Sequence, residues 1–210
     1  MTPDEFIEIF RAERASAILR TPIASAVEPA MDAAVRGGFR IIEFTLTVPD
    51  VFEHIASFSA RDDLIVGAGT VLTPDDAHRA VDAGARFLVS PVTDEAVIDA
   101  ARELNVAVMP GTFTATEMLR AHRAGAQLQK LFPGPGIGAK YVKAMLGPMP
   151  FLRIVPTSGV HLNNVASFLK AGAWAVGFVA PLFDANDIAA GRFDAIEARA
   201  RQLLAAAHSA

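Results

Sequence analysis

Arg36-Gly-Gly-Phe-Arg-Ile-Ile-Glu-Phe44, Asp82-Ala-Gly-Ala-Arg-Phe-Leu-Val-Ser90, Arg123-Ala-Gly-Ala-Gln-Leu-Gln-Lys-Leu131 and Lys170-Ala-Gly-Ala-Trp-Ala-Val-Gly-Phe178 are four versions of one phrase. In each, a helical pattern runs into a glycine and an apolar, strand-like run follows. Glycine just past a helix is the usual C-terminal cap, because it takes a positive φ without steric cost. The capping glycines are Gly38, Gly84, Gly125 and Gly172, so the phrase recurs after 46, 41 and 47 residues. That period is too long for one strand–helix unit and suits two.

Working outward, further strand-like runs fill the gaps at Ala15–Leu19, Leu64–Val66, Val106–Met109 and Leu152–Val155. Helical patterns lie between them, as at Ala26–Arg36, Pro74–Ala83, Asp94–Leu104, Ala115–Ala124, Gly138–Leu146 and Leu162–Lys170. The count is eight strands, each followed by a helix, behind a leading helix at residues 3–13. Alternating strands and helices imply a parallel sheet. Eight units closing on themselves predict an α/β fold, a single-domain (β/α)₈ TIM barrel over residues 1–210 with an N-terminal helix. The rival is an open doubly wound sheet.

The repeat also supplies a register. Five residues beyond each capping glycine stand Glu43, Val89, Lys130 and Gly177, on the second, fourth, sixth and eighth strands. Alternate strands supply one interior layer of such a barrel. Glu43 and Lys130 are therefore expected inside, at one level, with Gly177 leaving space. A charged pair there costs several kcal/mol in desolvation unless paired, and strand ends at the top of this fold carry its chemistry. The chain has four lysines, and Lys140, Lys143 and Lys170 fall on helical patterns where a solvated lysine is ordinary. Lys130 alone interrupts a strand. A desolvated lysine loses proton affinity and becomes a usable nucleophile, and a nearby carboxylate supplies a base. A buried structural ion pair, or a polar strand residue facing a helix, are the other readings of the same residues.

Composition bounds the partners. Of 210 residues, 52% are hydrophobic and 20% charged, which describes a globular chain. No apolar run reaches the roughly 18 residues of a membrane span. The start, MTPDEFIEIFRAER, lacks the basic and apolar stretches of a signal peptide, so cytoplasmic residence is expected. With no cysteine, disulfides, thiol nucleophiles and thiolate metal sites are excluded. A net charge of −4 without a basic run argues against nucleic acid. The five histidines, at 54, 78, 122, 161 and 208, fall on helical patterns or the tail, so no metal site is expected and no cofactor is called for.

Across these segments the chain resembles the 2-keto-3-deoxy-6-phosphogluconate aldolase family, which includes 4-hydroxy-2-oxoglutarate aldolases and phosphogalactonate relatives. The resemblance rests on Ala17-Ile-Leu-Arg20, Ile42-Glu-Phe-Thr-Leu-Thr47 with Pro49, Gly67-Ala-Gly-Thr-Val-Leu72, Val89-Ser-Pro91, Met109-Pro-Gly111, Lys130-Leu-Phe-Pro133 and Pro156-Thr-Ser-Gly-Val160. No piece is specific alone, but all of them in order are. The resemblance implies a class I aldolase that forms pyruvate and an aldehyde. Lys130 would make an imine with a 2-keto acid, and Glu43 would act as general acid/base through a water that Thr157 helps hold. It further implies substrate contacts at Arg20, Thr47, Thr70, Pro91 and Phe132, and a homotrimeric assembly. A phosphosugar isomerase or epimerase, and a non-catalytic keto-acid-binding barrel, are the alternative functions.

Three positions depart from the family pattern. A Gly-Gly pair usual after the seventh strand is Ser158-Gly159, and a Gly-Ser pair usual after the eighth, just beyond Gly177, is replaced within Val179-Ala-Pro181. Backbone N–H groups at such turns cradle phosphate, and Pro181 has none to offer. Thr47 stands where relatives often carry arginine. A weakened grip on phosphate is one reading of the two turn changes and neutral drift at tolerant turns the other, while Arg20 could compensate for Thr47.

Overall fold

The computed structural model describes residues 1–210. Nine strand segments, two of them consecutive in one run of chain, alternate with helices. The strands are β1 (Ala15–Leu19), β2 (Ile41–Thr45), β3 (Ile65–Gly69), β4 (Phe87–Val89), β5 (Ala107–Met109), β6 (Gly111–Thr112), β7 (Gln129–Leu131), β8 (Ile154–Pro156) and β9 (Val176–Phe178). The helices are α1 (Pro3–Glu13), α2 (Val27–Arg36), α3 (Val51–Ser59), α4 (Pro74–Asp82), α5 (Glu95–Glu103), α6 (Ala115–Arg123), α7 (Ala139–Leu146), α8 (Val165–Lys170), α9 (Ala185–Ala189) and α10 (Phe193–His208).

The repeated phrase keeps its meaning in three dimensions. Gly38, Gly84, Gly125 and Gly172 have φ of 112°, 107°, 101° and 101°, so all four end their helices in the same way. Helix starts are written just as locally. Thr2, Thr73 and Thr114 each close a capping box with the residue three positions on, and Pro3 and Pro74 open their helices where no N–H is needed.

All strand pairs are parallel, and they form two curled ladders rather than the single eight-stranded one expected. Six strands follow the order β5-β4-β3-β2-β1-β9, and three follow β6-β7-β8. Two seams separate the ladders. At the first, β5 and β6 are one run of chain divided at Pro110, whose missing N–H interrupts the ladder although its carbonyl still accepts from Lys130 N–H at 2.9 Å. At the second, Trp174 N–H donates to the Ile154 carbonyl at 2.8 Å, a single bond between β8 and the start of β9. No helix is long and apolar enough to cross a membrane.

Two cores lie on opposite faces of the sheet. The large one fills the space between strands and helices. The small one lies on the concave face and includes Ile41, Phe87, Val89, Ala107, Met109, Leu128, Val155 and Ala175. Phe6 and Phe10 of α1 join it from below, with the Phe6 ring stacked on Phe87 at 4.6 Å. The α1 helix is thus a plug at the N-terminal end of the strands. Above it the concave face is cleared by glycine. A Cβ at Gly67 would lie 2.3 Å from the Phe87 ring, and one at Gly177 would lie 2.6 Å from Ile18 Cδ1 and 2.7 Å from Thr157 Cγ2.

Candidate active site

Glu43 sits in the middle of β2 and Lys130 in the middle of β7, both facing the cleared space above the plug. Glu43 is 0% exposed and Lys130 6%. The ladder neighbours of Lys130 are Gly111 and Val155, so one flank of its side chain is left open by a glycine. Neither Glu43 carboxylate oxygen has a hydrogen-bond partner, and the neighbouring Thr157 Oγ1 has none either. Room for the carboxylate comes from Gly69, where a Cβ would stand 1.9 Å from Glu43 Oε1. The Lys130 ammonium lies 5.1 Å from the centroid of the Phe132 ring.

Burial is the largest influence on both ionisable groups. It pushes the Glu43 carboxyl above its ordinary range, opposed by the positive charges of Lys130 and Arg20. It pushes the Lys130 ammonium below its ordinary range, opposed by Glu43 and assisted by Arg20. Burial therefore draws the proton affinities of the two groups toward each other.

Two cavities adjoin each other here, and Lys130 lines the first. One of about 240 Å³ is lined by Arg20, Lys130, Phe132, Thr157, Ser158, Gly159 and Gly177, closed by Ile18, Val160 and the Val179–Pro181 turn. The other, about 460 Å³, is lined by Arg20, Thr21, Pro22, Thr47, Thr70, Pro91 and Phe132. Arg20 and Phe132 belong to both. Every site residue named from the sequence lines one of these cavities except Glu43, which lies beneath them. In the second cavity Arg20 donates to Thr70 Oγ1 at 3.4 Å, and Thr47 Oγ1 is 2.9 Å from Thr45 Oγ1. Thr70 holds a φ of 62°, a conformation that costs a β-branched residue roughly 1–3 kcal/mol and marks sites where geometry is imposed.

At the far end of the first cavity the backbone N–H groups of Ser158, Gly159, Val160, Val179 and Ala180 donate to no acceptor in the protein. Gly159 has a φ of 73°, which turns successive amides toward one side. The side-chain departures after β8 and β9 therefore leave a set of amides suited to an anion. His161, read from the sequence onto a helical pattern, lies instead in the turn before α8, where its N–H donates to Asn164 Oδ1 at 2.8 Å.

Sequence reasoning missed two features. One is Gly69, whose signal was present: small residues at alternate positions 67 and 69 of a strand imply something large opposite. The other is the strained turn at Thr70, which no residue type announces.

Residues 6–199 match the family model described as "Aldolase: KDPG and KHG aldolase". The chain belongs to the KDPG and KHG aldolase family. As an aldolase it is a carbon–carbon lyase. It is 34% identical over 210 residues to the 2-dehydro-3-deoxy-phosphogluconate aldolase of Treponema pallidum, a match covering 94% of this chain and 97% of the relative. Among solved structures, one titled "Native KDPGal structure" superposes with a TM-score of 0.85 at 28% identity, covering 93% of this aldolase and 94% of that chain. A cube-shaped, highly porous protein cage designed by fusing symmetric oligomeric domains superposes with a TM-score of 0.86 at 28% identity, covering 93% of this chain and 72% of the cage chain.

Proposed function

We propose that this lyase cleaves a 2-keto-3-deoxy sugar acid, phosphorylated or not, or a 4-hydroxy-2-oxo acid, through an imine on Lys130. The observation that carries the reading is one buried lysine in one layer with one buried carboxylate, both left without a structural partner. Removing Lys130 from water makes its neutral amine available to attack C2 of the keto acid. Glu43, with its raised proton affinity, donates the proton that lets the C2 oxygen leave as water. The resulting iminium draws electrons from the C3–C4 bond as Glu43 accepts the C4 hydroxyl proton. The aldehyde departs and an enamine remains. Protonation at C3 and hydrolysis return pyruvate and the free lysine. Thr157 Oγ1 holds the water through which Glu43 acts.

The substrate's carboxylate belongs with Arg20, Thr47, Thr70 and the backbone at Pro91. The Arg20 guanidinium gives this region a positive charge that favours an anion. The tail lies against Phe132, over Gly177, and toward the free amides of Ser158 and Gly159. Closing both seams would make the two ladders one (β/α)₈ barrel, a single domain over residues 1–210. A cytoplasmic homotrimer is the proposed assembly, supported by family membership and by the likeness to a cage built from symmetric oligomeric domains.

The test is reductive trapping. Pyruvate with borohydride is expected to add one stable mass at Lys130. Labelling of Lys140, Lys143 or Lys170 instead, or no labelling, refutes the proposal.

A further inference from the structure

Thr45 carries a hydroxyl that the imine chemistry leaves unused. It ends β2, and strand alternation puts it on the side of Glu43, where it is buried. Neither cavity of the site is lined by it. Its Oγ1 donates to the Leu19 carbonyl at 3.3 Å and lies 2.9 Å from Thr47 Oγ1, and Thr47 lines the second cavity. The backbone around Thr47 is held on both sides. Val48 N–H donates to the Thr45 carbonyl at 2.9 Å, and Leu46 N–H to the Gly69 carbonyl at 2.7 Å. What remains free is the direction of two hydroxyl protons.

Counting those protons decides what the cavity meets. A carbonyl only accepts, and each threonine has one proton to give. While Thr45 gives its proton to Leu19, the 2.9 Å contact needs the proton of Thr47. Thr47 then shows the cavity lone pairs alone. A carboxylate has no proton and is repelled by lone pairs, so it requires Thr47 to donate. The contact between the two hydroxyls survives that change only if Thr45 turns its proton from the Leu19 carbonyl to Thr47. The exchange gives up the weaker bond: 3.3 Å is longer than an ordinary O–H···O bond of about 2.5–3.0 Å, whereas 2.9 Å lies within that range. It also makes a chain that runs in one direction, from Thr45 to Thr47 to the anion, and hydrogen bonds in such a chain strengthen one another.

We propose that Thr45 is a positioning residue for the substrate carboxylate: it accepts from Thr47 in the free enzyme and donates to Thr47 when a keto acid is bound, so that Thr47 donates to the carboxylate. The proposal rests on the reading that places that carboxylate at Thr47. No covalent bond changes; two hydroxyls rotate. Thr45 therefore acts on binding and not on the steps at Lys130 and Glu43. A threonine that merely fills the end of β2 is the competing account, and it predicts lost stability in place of weaker binding.

Thr45→Val keeps the shape and removes the hydroxyl. Two quantities are read: the pyruvate concentration that half-saturates borohydride trapping at Lys130, and kcat for cleavage of a 2-keto-3-deoxy acid. The first is expected to rise about three- to tenfold, the scale of one neutral hydrogen bond, while kcat stays within about twofold. Thr45→Ser, which keeps the hydroxyl, is expected to restore the wild-type concentration. The double variant Thr45→Val/Thr47→Val is expected to bind no worse than Thr47→Val, because a residue that acts through another adds nothing once the other is gone. Unchanged half-saturation in Thr45→Val overturns the role of Thr45. So does a kcat loss as large as the binding loss, a Thr45→Ser as weak as Thr45→Val, or losses that multiply in the double variant. Thr45→Ala carries the same expectations if Thr45→Val does not fold. Failures of the underlying reading look different: wild-type protein that traps no pyruvate at Lys130 overturns the imine, and Thr47→Val that binds pyruvate like the wild type overturns the carboxylate's placement.

Discussion

Replacing Gly69 by alanine tests whether the place of the Glu43 carboxylate governs turnover. The new Cβ would stand 1.9 Å from Glu43 Oε1, 2.7 Å from Cδ and 3.1 Å from Cγ. An ordinary contact needs at least 3.4 Å, so the carboxylate must move by 1.5 Å (3.4 less 1.9) unless β3 gives way. Glu43 is fully buried, and β3 is held between β2 and β4. The carboxylate is the softer element. A displacement of about 1 Å at a reacting group costs about 10²-fold in rate. Overpacking adds roughly 1–3 kcal/mol of lost stability, which thermal unfolding reads separately. The assay is cleavage of a 2-keto-3-deoxy acid, coupled to pyruvate detection. Glu43→Gln is expected to lose about 10²-fold or more as well, the usual scale for a general acid/base. If Gly69→Ala acts only through Glu43, the double variant loses no more than Glu43→Gln alone, because groups acting as one unit are not additive. A folded Gly69→Ala protein with cleavage within threefold of wild type refutes the reasoning, as does a double variant slower by the product of the two single losses.

Other consequences can be measured directly. Because burial holds the Lys130 ammonium down and Glu43 partly restores it, Glu43→Gln should lower the proton affinity of Lys130 further; the acidic limb of pyruvate trapping against pH should then move to lower pH, and a move to higher pH contradicts the assigned coupling. Selectivity for phosphate, measured as the ratio of kcat/KM for 2-keto-3-deoxy-6-phosphogluconate over its unphosphorylated form, is expected below about 10³, since one or two lost charge-assisted bonds at about 1.5–3 kcal/mol each remove roughly one to three decades; a higher ratio means that the amides of residues 158–160, 179 and 180 suffice. Phe6→Ala removes the ring stacked on Phe87 and should cost about 3–5 kcal/mol of stability, read by denaturant titration, while borohydride trapping in the folded fraction persists.

Much of this was readable from the four-fold phrase because its information is local. A glycine that ends a helix needs only the residues beside it, and all four took the same positive φ. Register was legible too: counting five residues past Gly38 and Gly125 reaches Glu43 and Lys130, both buried and near enough for each charge to act on the other. What stayed hidden depended on neighbours distant in sequence. Gly69 matters through a glutamate 26 positions earlier (69 less 43), and the turn at Thr70 is held by bonds of its neighbours to distant strands, Leu46 N–H to the Gly69 carbonyl and Val71 N–H to the Val89 carbonyl. Pro110 was legible as a residue without an N–H, but not as a seam. His161 was misplaced because a short polar run before α8 satisfies a helical pattern as easily as a turn.

The clearing of the concave face by Gly67, Gly69, Gly111 and Gly177 divides the chain into parts with different futures. None of these four positions admits even a methyl group without moving a ring, a carboxylate, a backbone carbonyl or the packed Ile18 and Thr157 side chains. The floor beneath the reacting atoms is therefore closed to gradual alteration. Thr47, Ser158 and Val179 to Pro181 depart from the wider pattern, and all of them lie on turns above that floor. A lineage or a designer seeking a new aldehyde partner has those turns to vary, one residue at a time, while inheriting the bond-breaking apparatus whole.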